Sequence, residues 1–131
     1  HIDSWVEINY VDGYTVSLLS KKNISKNKLF FINLGGYDEN KFEELHESEF
    51  LVGDKKIEIK KRAKETLMKG LDQVHTDDLY DVDDCIEINK VSDYFINLKK
   101  EKNKSESLKF NNGYHPIPKK IIEKYKSLIN N

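Results

Sequence analysis

Apolar and polar positions alternate, or apolar ones run together, over strand-length stretches of this chain. "WVEIN" and "YTVSLL" flank "YVDG", whose Asp-Gly is a turn signal, and together they predict a β-hairpin across residues 5–19. A polar connector, "SKKNISKNK" (20–28), leads into "LFFINL" (29–34), apolar on both faces apart from Asn33 and therefore expected to be a buried strand. Gly35-Gly36 is expected to end it in a turn. "YDENKFEEL" (37–45) reads as a loop with at most one helical turn, and "HESEFLVGD" (46–54) as a second strand stopped at Gly53.

Helical spacing then takes over. Ile59, Ala63 and Leu67 recur at i, i+4 and i+8 and predict a helix over 55–69 facing a sheet, with Asp54 as N-cap and Gly70 as the C-terminal stop. After an acidic loop, "CIEINKV" and "DYFINL" repeat the opening pattern. Residues 99–109 form a charged linker. A last helix should begin at Pro118, with Ile121, Ile122, Tyr125, Leu128 and Ile129 on one stripe that docks on the body or on a partner.

The repetition is literal. Residues 1–18 laid without a gap over 81–98 match at Asp3/Asp83, Glu7/Glu87, Ile8/Ile88, Asn9/Asn89, Val11/Val91, Tyr14/Tyr94 and Leu18/Leu98. A gapped register, His1-x-Asp3 against His75-x-Asp77, stays open beside it. The expected fold class is α+β: an antiparallel-rich sheet built from a duplicated strand-strand-helix-hairpin unit, its first copy incomplete, plus a C-terminal helix. The divisions expected are 1–20 for the hairpin of the truncated first repeat, 28–98 for the complete second repeat, 99–112 for a flexible linker, and 113–131 for the C-terminal segment and helix. The opening hairpin, stripped of its strands, would expose a sheet edge and recruit a second copy into a homodimer.

Composition narrows the classes. With 22 basic and 23 acidic side chains among 131 residues the formal net charge is −1, which disfavours nucleic acid as a partner. No apolar run reaches the ~18 residues of a membrane span, and no charged-then-apolar leader is visible. One cysteine, Cys85, allows no internal disulfide and points to the cytoplasm. It reads as an inert buried thiol.

Candidate chemistry gathers in two places. "LDQVHTDDLYDVDD" (71–84) carries Asp72, Asp77, Asp78, Asp81, Asp83 and Asp84 with His75 and no basic residue. Crowded carboxylates suit a hard divalent cation, so Asp77, Asp78, Asp81, Asp83 and Asp84 are candidate metal ligands, although the EF-hand spacing fails and a solvated loop is the simpler reading. Neither zinc nor any other cofactor is expected. His46, His75 and Asp77 are candidate catalytic groups through a positioned imidazole–carboxylate pair. Strand alternation puts His46 and Ser48 on one face and Glu47 and Glu49 on the other. Gly35, Gly36 and Tyr37 form a candidate anion or ligand loop through backbone N–H groups, with a tight turn as the plainer explanation.

"LFFINLGGYDENKFEELHE" and "VHTDDLYDVDDCIEIN", with "HIDSW" and "VDGY" ahead and Gly113-Tyr114-His115-Pro116 behind, resemble the bacterial family called domain of unknown function 1543. The pairing of Leu34-Gly35-Gly36 with the "ELH" ending at His46 carries the resemblance; the corresponding portion of the first unit would precede His1. The resemblance implies a small bacterial, cytoplasmic, duplicated α+β protein and no activity or catalytic residue. The function expected is a non-enzymatic binding or protein-interaction module, its small ligand unspecified. The alternative is a small metal-dependent hydrolase using the acidic loop 72–84 with His46 and His75.

Overall fold

The computed structural model describes residues 1–22, 25–76 and 85–130. They divide into two compact units, residues 9–106 and residues 1–8 with 107–131.

In the larger unit, a short strand β2 (Tyr10–Val11) and β3 (Tyr14–Leu19) form a tight hairpin. Asp12 (φ 53°) and Gly13 (φ 84°) are both left-handed at its turn, as a primed two-residue turn requires. β4 (Lys28–Tyr37) and β5 (Glu44–Gly53) pair antiparallel along all ten residues. The connecting loop is braced by Asp38: its side chain accepts the Asn40 N–H at 3.0 Å and its carbonyl the Lys41 N–H at 2.9 Å. Helix α1 (Lys56–Thr66) follows, then β6 (Asp72–Thr76), β7 (Cys85–Ile88), and a second hairpin of β8 (Lys90–Val91) and β9 (Tyr94–Lys100). β4 is central, with β5 on one side and β6 and β7 sharing the other. The molecule is thus α+β with antiparallel sheets and a C-terminal helix.

Alternation sorts β4. Phe30, Ile32 and Leu34 face α1 and form the core with Leu51, Ile59, Ala63, Leu67, Met68 and Cys85. Ile59 and Ala63, which helical spacing had placed toward the sheet, are fully buried. The helix ends sooner than the spacing predicts. Its last residue is Thr66, because Met68 turns left-handed (φ 52°) and donates its N–H to the Glu47 carboxylate at 2.7 Å. Asp54 is not the cap; its carboxylate pairs with Lys26 at 3.2 Å, and Lys55 opens the helix without a side-chain cap.

Two expectations about β-structure are corrected. The opening hairpin does not run from residue 5: the chain bends at Ile8-Asn9, so β1 (Ile2–Glu7) separates from β2. Nor is the hairpin left with a free long edge, because β3 pairs with β9 over six residues, Tyr14↔Lys100 to Leu19↔Phe95. The outermost strands of this sheet are the two-residue β2 and β8. The pairing is symmetric in sequence: Ser17 lies opposite Asn97, its own equivalent at a separation of 80, and the Asn97 side chain donates to the Ser17 hydroxyl at 3.1 Å.

In the smaller unit, β1 pairs with β10 (Lys109–His115), and α2 (Lys119–Ile129) follows. The expected linker 99–112 is therefore shorter, since β9 reaches Lys100 and β10 starts at Lys109. α2 has the expected stripe: Ile121, Tyr125, Leu128 and Ile129 are 57–67% exposed, and no residue of the helix is buried.

Candidate functional site

The face of β4 turned away from α1 carries Leu29, Phe31, Asn33, Gly35 and Tyr37, and its cross-strand partners on β5 are Val52, Phe50, Ser48, His46 and Glu44. The face changes character along its length. At one end Phe31 and Phe50 meet with ring centroids 5.1 Å apart. At the other it is polar: Asn33 is only 5% exposed and accepts a 2.6 Å hydrogen bond from the Ser48 hydroxyl, and His46 Nε2 lies 3.7 Å from a Glu44 carboxylate oxygen. His46 and Ser48 share this face, while Glu47 reaches the opposite side to Met68, as the alternation predicts.

Gly35 and Gly36 do not form a turn. They lie within β4, Gly35 opposite His46 on β5 and His75 on β6, and Gly36 opposite Leu45. With pairing on both sides of Gly35, its backbone is committed to the ladder, and the loop geometry that an N–H anion cradle needs is absent at this pair. Gly36 has a packing reason instead: a Cβ there would lie 3.2 Å from Met68 Cε and 3.3 Å from Val74 Cγ2. Tyr37 ends the strand, half exposed, opposite Glu44.

One consequence could not be read from the sequence. His46 and His75, 29 positions apart, occupy the same rung of three adjacent strands with a glycine between them. Two strand spacings separate their backbones, roughly 10 Å. Asp77, Asp78, Asp81, Asp83 and Asp84 lie outside the described residues. Among the described residues, no group of three or more His, Cys, Asp or Glu side chains is placed to hold a metal ion. His1 and Asp3 do meet, Nε2 to Oδ1 at 3.1 Å, at the exposed start of β1.

Sequence reasoning passed over a second feature. A cleft of about 210 Å³ opens between Leu29 and Ile88 of the central sheet and Phe95, Ile96 and Leu98 of β9. Lys28 crosses its floor with Nζ 3.0 Å from both carboxylate oxygens of Glu87. The available signal was Glu87 itself, one of the identities in the 80-residue match. A third charged cluster joins the hairpin to the helix. Asp12 Oδ2 accepts from the Arg62 guanidinium at 2.7 Å and the Val52 N–H at 3.0 Å, and Arg62 also donates to the Val52 carbonyl at 2.9 Å. Burial raises the Glu49 pKa, helped by Asp12 and Glu47 and opposed by Arg62.

Fold and site together define a small antiparallel α+β domain whose central sheet has one face that is polar at one end. Residues 41–98 match the model of the family described as Domain of Unknown Function (DUF1543). Neither the curated proteins nor the solved structures contain a match to the chain. No helix is long and apolar enough to cross a membrane among the described residues.

Proposed function

We propose that the protein is a non-enzymatic interaction module of the cytoplasm, and that its smaller unit is the part a partner completes. One observation carries this reading: none of the described residues of that unit is buried, yet it presents Trp5, Phe110, Tyr114 and the apolar stripe of α2. A two-stranded ribbon is marginal in water by itself, and ordering it costs backbone entropy that only apolar burial offsets. Hydrogen exchange on the isolated chain tests the idea. In dilute solution the amides of 109–115 and 119–129 should exchange at close to unstructured rates while those of 28–37 stay protected. Full protection of both segments at every dilution means the unit is self-sufficient and ends the proposal.

The rung of His46, Gly35 and His75 favours a second reading, a metal-dependent hydrolase. A genuine site would raise the melting temperature on addition of Zn²⁺ or Mn²⁺, by about 2.7 kcal/mol of stability at a hundredfold excess over Kd, and His46→Ala would abolish the rise. An unchanged melt in both metals removes this alternative.

A further inference from the structure

The two ribbons of the molecule correspond. An 80-residue offset, taken downward for β7 and upward for β4, carries the pair Ile86↔Phe31 to Val6↔Asn111, where the structure pairs Val6 with Phe110, one residue away. It carries Phe30 onto Phe110. β1 thus lies beside β10 antiparallel, as β7 lies beside β4, with the register displaced by one residue. The hairpins agree in backbone as well: Val16 N–H to Asn9 carbonyl (2.9 Å) is matched by Ile96 to Asn89 (3.0 Å), and Asp12 (φ 53°) by Ser92 (φ 52°). We infer that the chain is built from two copies of one unit, and that the edge of β10 away from β1 pairs antiparallel with the same edge of a second copy of this chain.

The larger unit shows which edge is meant to be filled. Among the described residues β7 has no strand on its outer side, whereas the far edge of β4 is covered along all ten residues by β5. The counterpart of the covered edge belongs to β10; the outer edge of β1 corresponds to the uncovered one and carries Asp3 and Glu7. Three facts favour a second copy as the occupant. A two-fold axis makes identical strands antiparallel, the orientation β5 takes beside β4. This sequence already joins its own equivalent strands in that way, β3 to β9 about Ser17 and Asn97. The middle of β10, "FNNGY", holds no charge to repel its image, and the whole chain is nearly neutral.

This inference rests on the interaction-module reading and names its partner. Asn112 is exposed and close to the expected axis, so Asn112→Lys and Asn112→Glu each set like charges against each other across the dimer. Sedimentation velocity on the full chain should show a dimer for the native protein, monomers for either variant with native circular dichroism, and dimers again when the two variants are mixed. A native monomer up to hundreds of micromolar overturns the inference, as does a dimer that survives Asn112→Lys. Where the native protein is a monomer, hydrogen exchange separates the two ideas: an unprotected 109–115 leaves the interaction reading standing, and a protected one ends both.

Discussion

Gly36 has no side chain because Met68 and Val74 already fill the space above it. Gly36→Leu, a side chain too large for Met68 and Val74 to accommodate by a small shift, should destabilise the larger unit by about 1–3 kcal/mol, the usual cost of overpacking a core, measured by urea unfolding. Glu49 gives a prediction of opposite sign. Its pKa is raised by burial and by Asp12 and Glu47, so the folded state binds the proton more tightly than the unfolded chain does. The stability from that proton is present below the ordinary glutamate pKa and is lost as pH climbs through the raised value. Glu49→Gln should therefore raise the melting temperature at pH 7, with the gain shrinking toward pH 4; an equal gain at both values would refute the assignment. At this scale the sequence was legible wherever a residue's role follows from alternation, as for His46, Ser48 and Glu47. It was misleading at Gly35-Gly36, because a glycine required by a neighbour's bulk looks the same in sequence as one required by a turn.

At the scale of elements, two hairpins of similar sequence meet different surroundings. Tyr10 and Val11 of β2 are buried, while Lys90 and Val91 of β8 are exposed. Asp12 accounts for part of the difference, since it ties the first turn to β5 and α1 through Val52 and Arg62, and Ser92 stands in its place at the second turn. Asp12→Ala leaves the buried Val52 N–H and a guanidinium without their acceptor, so a loss of about 1–2 kcal/mol is expected in chemical denaturation, against little change for Ser92→Ala. The two helices contrast in the same way. α1 buries the residues its spacing predicts, and α2, with the clearer stripe, buries none. Periodicity states which face of a helix is apolar; whether anything covers that face depends on the rest of the fold. β10 escaped the sequence reading because "KFNNGYH" is polar at most positions and follows a charged stretch, so it becomes a strand only through its pairing with β1.

For the whole molecule, the division into two units makes a test that uses the single tryptophan. Trp5 lies in the smaller unit and is 53% exposed, whereas most regular structure lies in the larger one. Denaturation of the dilute chain followed by Trp5 emission should run ahead of that followed by far-ultraviolet circular dichroism; coincident curves would show one cooperative block. What the sequence determined by itself was local: strand and helix segments whose hydrophobic period is unambiguous, the primed turn at Asp12-Gly13, the apolar faces, and the 80-residue recurrence. Tertiary structure alone decided the partners. It joined β3 to β9, split β1 from its hairpin and set it beside β10, and brought His46 and His75 to one rung. Strand pairing is a contest among every unsatisfied edge in the chain, and its outcome depends on contacts between residues too far apart in sequence for any local pattern to encode.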